Sequence, residues 1–250
     1  MVVSFAKKLL DILYLIQELA IFSLKLIIML DKIYPYRFSI FLFTLIAILF
    51  GSLIFPEYLY EEFLSHIIFI ANLLAGILLI SKRKKIMIFF ICLLVIAGLD
   101  FGSSLIDFGD RELLKFIRMG VYFLFYVVVT QAIIFQIWNS KRVNEMVILG
   151  VISGYISLGL ICFFICLSIE TIYPGSFQGL LSSVNNPDLK NDSIMYYSYI
   201  TMLTIGYGDV LPTTQIAQKS SILIGLMGQF YMVIITAIVV GKFISQSANK

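Results

Sequence analysis

Six consecutive residues, Thr204-Ile205-Gly206-Tyr207-Gly208-Asp209, carry the chemistry of this sequence. An alkali cation leaves water only where a fixed set of oxygens replaces its hydration shell, and backbone carbonyls aimed at one axis can do so. Successive carbonyls of an extended chain point opposite ways, so such a ladder requires positive φ at intervals. Gly206 and Gly208 allow this without a Cβ clash. The pattern predicts that the carbonyls of Thr204, Ile205, Gly206 and Tyr207, with Gly208 completing the outer end and the Thr204 hydroxyl the inner end, form stacked K⁺ cages when several chains meet on an axis. Tyr207 would turn its ring away from the ions and brace the strand, and Asp209 would hold the outer mouth and add negative potential. A lone Gly-x-Gly would suggest an ordinary turn between helices; six residues in this context suggest the ladder.

The elements that must position this strand sit in a bilayer. Of 250 residues 60% are hydrophobic and 13% charged, leaving too little polar surface to cover a water-soluble domain. Apolar runs suited to crossing a hydrocarbon core of about 30 Å occupy 38–55, 64–80, 86–101, 119–138, 146–169 and 216–244. The 86–101 run is the weakest, closed early by Asp100. Between the last two runs lies a re-entrant segment, 190–212; non-helical backbone at membrane depth is tolerated where protein buries it or water reaches it, so this segment is expected to line a pore. In the first 37 residues Ser4, Asp11, Glu18, Lys25 and Lys32 recur every seventh position. That spacing predicts an amphipathic helix in the interface, with a crossing by 12–30 as the alternative and a cleaved signal peptide disfavoured by the acidic residues. Lys82, Arg83, Lys84 and Lys85, with Lys141 and Arg142, mark cytoplasmic loops, and Glu57, Glu61 and Glu62 an outer one. Six spans then put both termini in the cytoplasm.

Residues 192–203 read as a short helix capped by Asp192 or Ser193, its C-terminal dipole end favouring a cation in the cavity beneath the strand. Tyr196 and Tyr197 fall where an aromatic collar would support the strand, or where interfacial tyrosines anchor a helix. In the last run Gly225 and Gly228 suit either a bend or close helix packing, with Gly228 placed mid-helix. Thr236 and Val240 fall where the cavity wall and an inner constriction are expected. Cys92, Cys162 and Cys166 all lie in apolar runs, which argues against a disulfide framework. Cys162 and Cys166 share a helical face, but lone His66 is too distant in sequence to complete a metal site. His66 and Trp138 read as interface residues, and Asn72 as a polar group facing other helices. No nucleophile–base pair, phosphate loop or basic-aromatic nucleic-acid surface appears, so neither an enzyme nor a nucleic-acid binder is expected.

The stretch 146–244, with a span, a short helix, Thr204-Ile205-Gly206-Tyr207-Gly208-Asp209 and a long final helix, resembles the pore domain of tetrameric potassium channels. The whole plan is similar to the six-span Kch-type channels of bacteria. That resemblance implies an all-α integral membrane protein with six transmembrane helices, a re-entrant pore helix and a selectivity filter, assembled as a homotetramer in the lipid bilayer of the bacterial inner (plasma) membrane. It divides the chain into an interfacial helix (1–37), a four-span domain (38–145) and a pore domain (146–250). It implies K⁺ as the permeant ion and no cofactor. Kch-type channels generally continue into a cytoplasmic sensing domain, whereas this sequence stops at Lys250, leaving a longer natural chain or an unregulated one as expectations. The run 119–138 holds no Lys or Arg, and Arg111, Lys115 and Arg118 lie upstream of it, so strong voltage gating is not expected. The alternatives are a weakly selective cation channel and a non-conducting subunit that modifies other channels.

Overall fold

The computed structural model describes residues 32–56, 59–60, 64–81, 111–181 and 188–248. The N-terminal segment to residue 31, the acidic Glu57, Glu61 and Glu62, the basic cluster 82–85 and the apolar run 86–101 lie outside the described residues, as do the side chains of His66, Arg111, Lys115 and Arg118. The chain divides into units Met1–Arg37 and Phe38–Lys250. Of the first, the described part holds a 3₁₀ turn at Tyr34–Tyr36, over whose Tyr34 ring the Arg37 guanidinium lies at 4.3 Å.

The second unit is built of helices: α1 (Arg37–Ile54, entered from the first unit), α2 (Ser65–Ile80), α3 (Arg111–Asn139), α4 (Glu145–Ile172), α5 (Asp188–Met202) and α6 (Gln215–Ala248). A two-residue antiparallel ribbon, β1 (Phe177–Gln178) with β2 (Leu211–Pro212), pairs Phe177 with Pro212 and Gln178 with Leu211. Four helices among the described residues, Tyr34–Ile54, Met119–Asn139, Glu145–Ile172 and Gln215–Ala248, are long and apolar enough to cross a bilayer, and Ile67–Ile80 is a shorter apolar helix. The protein is thus a multi-pass, all-α integral membrane protein. In α3, Arg111, Lys115 and Arg118 are helical residues preceding the apolar span, as a helix end upstream of it requires. One boundary differs from expectation. Helix α5 begins at Asp188, a full turn before the expected cap: Asp192 lies inside the helix, and Ser193 donates to the Leu189 carbonyl at 2.9 Å while accepting from the Leu181 N–H at 3.1 Å.

Helix–helix association in lipid relies on close packing and hydrogen bonds, because tails are as apolar as leucine. In α1, Phe38, Phe41, Leu45 and Ile48 are buried at helical spacing, while Phe43, Phe50 and Leu53 remain exposed on the other side. Asn72 sits fully buried among α1, α2 and α3: its Nδ2 donates to Thr44 Oγ1 at 2.8 Å, and the Tyr126 hydroxyl donates to its Oδ1 at 3.0 Å. Each of these groups would cost several kcal/mol if left unpaired, roughly; paired, they fix the register of three helices. Thr130 and Ser157 hydroxyls meet at 2.8 Å between α3 and α4.

Helix α4 is the hub, and glycines make its notches. A Cβ on Gly150, Gly154 or Gly159 would crowd Phe38, Tyr231 or Tyr199 respectively. Tyr231 of α6 donates to the Val151 carbonyl at 2.8 Å and Tyr199 of α5 to the Ile156 carbonyl at 2.7 Å. The link from α3 to α4, residues 140–144, is short and capped by Asn144, whose side chain accepts from the Val147 N–H at 3.1 Å. Consequently α3 packs on α4 of its own chain. At that junction Lys242 of α6 donates to the carbonyls of Ile137 (3.0 Å), Trp138 and Ser140 (2.9 Å), and Gln246 accepts from the Val143 N–H at 3.0 Å. A lysine at the C-terminal end of α3 answers its exposed carbonyls and negative dipole end. Trp138 itself is largely exposed.

Candidate functional site: the strand after helix α5

Helix α5 is held on three sides before it delivers the strand. Tyr197 is buried, its hydroxyl 2.6 Å from Ser221 Oγ of α6 and its ring 5.1 Å from that of Phe177. Tyr199 rests in the Gly159 notch, and Gly228 of α6 lies so close to the Met202 carbonyl that a Cβ there would collide with it. At the C-terminal end of α4 the buried Glu170 carboxylate accepts from the N–H groups of Gly175 (3.0 Å) and Phe177 (3.2 Å) and pairs with Lys190 of α5 at 2.9 Å. Gly175, at φ 84°, makes the turn that brings those N–H groups round. Beyond the strand, Thr213 donates to the Gly175 carbonyl at 2.8 Å and Gly179 abuts the Asp209 carbonyl with no room for a Cβ.

The strand itself starts where α5 ends. The N–H groups of Ile205 (2.9 Å) and Gly206 (3.4 Å) both donate to the Ile200 carbonyl, and that of Thr204 to Thr201 at 3.0 Å. No peptide bond here is cis. In a trans peptide the carbonyl opposes the N–H. Since the N–H groups of Ile205 and Gly206 face α5, the carbonyls of Thr204 and Ile205, which share those two peptide units, face away from it together. The backbone explains how: φ is positive at Thr204 (60°), Gly206 (55°) and Gly208 (83°) and not at Ile205 or Tyr207. Handedness alternating residue by residue turns neighbouring carbonyls to one side. The two glycines stand where the sequence requires them. Thr204 was not foreseen: a β-branched residue at positive φ is an outlier, costing about 1–3 kcal/mol, and such strain concentrates at functional sites.

Residues 203–209 are all exposed within one chain; the Tyr207 ring is 72% exposed and Ile205 48%. The brace expected of Tyr207 is therefore not supplied by its own chain. Asp209 at the far end of the strand lies near the hydroxyl of Tyr196, whose ionisation it disfavours. The two tyrosines expected to act as one collar thus separate, Tyr196 toward the strand's outer end and Tyr197 into the α5–α6 contact. Gly228 is a packing glycine in this arrangement, whereas nothing lies within 4 Å of the Cβ position of Gly225. Thr236 and Val240 lie on exposed parts of α6. Among the described residues no group of three or more His, Cys, Asp or Glu is placed to hold a metal, and Cys162 and Cys166 are buried free thiols. Glu170, Lys242 and Gln229, whose Nε2 lies 3.5 Å from Thr204 Oγ1, were not singled out by sequence. The available signal was the same for each: a charged or amide group at an edge of, or within, an apolar run.

A family model described as an ion channel matches residues 188–245, from the first turn of α5 to near the end of α6. No curated protein and no solved structure matches the chain. Proteins of this kind are typically oligomeric, and they are channels rather than enzymes. The helix, strand and long final helix described above are accordingly the part of this chain that is similar to an ion-channel pore domain, carried in its C-terminal region.

Proposed function

We propose that the protein is a potassium-selective channel in which four copies surround an axis and pass K⁺ passively down its gradient. The observation that carries this is the run of alternating handedness at Thr204, Gly206 and Gly208, with two N–H groups tied back to Ile200 so that carbonyls face the open side. Four such strands would stack the carbonyls of Thr204, Ile205, Gly206 and Tyr207 into cages that substitute for water around a K⁺ ion. Tyr207, uncovered in one chain, would find its brace on the neighbouring copy. Asp209, with the Tyr196 hydroxyl near it, would hold the outer end. Residues 146–250 form the pore domain in this scheme, 38–145 a four-span domain without strong voltage sensitivity, and 1–37 an interfacial helix. Six spans leave both termini in the cytoplasm of a bacterial inner membrane. Val240 would narrow the inner end, Thr236 would line the cavity, and bending at Gly228 would have to part it from Met202.

Purified protein in planar bilayers tests the proposal. Under opposed potassium and sodium gradients the reversal potential should lie near the potassium equilibrium value. A reversal near zero would make it a weakly selective cation channel, and absence of current from the protein alone would make it a non-conducting subunit.

A further inference from the structure

Helix α6 carries an amide where lipid or a dry interface would penalise one. Gln229 is exposed within the chain, and its neighbours Phe230, Met232 and Val233 are exposed apolar residues. A polar side chain at membrane depth faces protein or a wet cavity. Here the direction is given by its partner: Nε2 of Gln229 donates to Oγ1 of Thr204 at 3.5 Å, across 25 residues of sequence. Both ends of this contact are held. Thr204 is fixed by its N–H to the Thr201 carbonyl and by its φ of 60°. Gln229 follows Gly228, whose missing side chain seats α6 directly against the Met202 carbonyl.

We propose that Gln229 tunes the innermost cation site of the pore by occupying part of the Thr204 hydroxyl. This rests on the potassium-channel reading above, in which that hydroxyl forms the lowest coordination layer. A threonine hydroxyl has two lone pairs. An amide N–H on one of them leaves a single lone pair for a cation, and the donor's positive hydrogen lies beside the ion. Cation residence at that layer is weakened, most for a divalent ion of similar size to K⁺, on which the electrostatic penalty doubles. Oε1 of Gln229, which accepts no hydrogen bond among the described residues, remains to receive water from a hydrated ion waiting below. Gln229 is thus a positioning residue acting through Thr204, and it works against tight binding at the inner end of the ladder.

Barium is the probe, being divalent and close to potassium in radius. Its affinity for the purified channel, measured by calorimetry so that a poorly conducting variant still gives a value, should tighten about three- to tenfold in Gln229→Leu and Gln229→Met, the worth of one hydrogen bond. Block of potassium current from the inner side should tighten in parallel, with potassium-over-sodium selectivity retained. In a Thr204→Val background, which lacks the hydroxyl, the same substitutions should change barium affinity less than twofold. Equal tightening in that background, or less than twofold change in the natural one, would overturn the role of Gln229 while leaving the filter standing. Failure of both variants to assemble would make Gln229 an interface residue and also overturn it. An unmodified protein that passes no potassium would overturn both this inference and the channel reading beneath it.

Discussion

Between α4 and α5 the turn around Gly175 keeps its polar groups inside one chain, whereas the strand 203–209 on the other side of α5 leaves its carbonyl edge and its large side chains uncovered. In the first, Glu170 gathers two N–H groups and an ammonium, and Thr213 and Thr214 tie the returning chain to Gly175 and Ser176. In the second, N–H groups are satisfied by Ile200 but Thr204 and Ile205 present carbonyls to open space, and Tyr207 is 72% exposed. The same contrast separates the two long helices that bracket them: 61% of the most apolar stretch of α4 is buried within the chain against 22% of that of α6. One half of the pore module is finished by its own sequence. The other half has its geometry set by its own sequence and leaves its surroundings open, where the proposed channel would place other copies and ions.

The largest effect that would sharpen this contrast is expected at Gly206. Nothing lies within 4 Å of its Cβ position, so alanine meets no steric obstacle in the chain; the penalty comes from φ 55° alone. That is roughly 1–2 kcal/mol per chain, and in the proposed channel it would recur in each of the four copies. Gly206→Ala should abolish potassium-selective flux from reconstituted vesicles while lowering the midpoint of thermal unfolding by no more than that strain accounts for. Retained selectivity would show that the strand does not depend on alternating handedness.

The next effect belongs to the finished half and should have the opposite signature. Glu170→Gln removes the charge that holds Lys190 and weakens two backbone contacts in a buried place. Lys190 is 38% exposed, so the pair is worth less than a fully buried one. A loss of about 2–3 kcal/mol is expected, seen as a lower midpoint of thermal unfolding. Lys190→Met, which leaves the carboxylate its two N–H donors, should cost less than Glu170→Gln. An order reversed between these two would place the ion pair, and not the backbone contacts, at the centre of the turn.

How far the sequence reveals these two halves follows from how local each one is. The strand is legible because its requirement falls on consecutive residues: Gly206 and Gly208 must be glycine for the same reason in any chain. The long helices are legible because apolar length is a property of a segment; α1, α4 and α6 begin and end within a few residues of the apolar runs. What remains hidden depends on partners far away. Asn72 finds Thr44 and Tyr126 28 and 54 residues distant, and no spacing rule links them. The first turn of α5 is hidden for another reason, since Asp192 and Ser193 are both good caps and only the bond from Ser193 to the Leu189 carbonyl one turn earlier shows that they lie inside. Gln229 and Glu170 look like interruptions of apolar runs until their partners are seen. Thr204 at positive φ runs against the preference of its residue type, so local propensity points away from it.

The smallest effects test whether the junction between the halves is set by shape or by hydrogen bonding. Tyr199 fills the notch over Gly159 and donates to the Ile156 carbonyl, an oxygen on α4. Gly159→Ala forces the ring out of its seat, an overpacking cost of about 1–3 kcal/mol, and because α5 must shift with it, potassium flux should fall together with stability. Tyr199→Phe keeps the shape and loses one hydrogen bond, about 0.5–1.5 kcal/mol, with flux retained. The two measured together, unfolding midpoint and flux, separate the alternatives. If Tyr199→Phe lowers flux as much as Gly159→Ala, the hydroxyl and not the notch aligns α5, and the strand's carbonyl direction would then depend on a single bond to the hub helix. If only the alanine does so, complementarity between ring and glycine transmits the order of the finished half to the unfinished one, as expected where small residues let membrane helices approach closely.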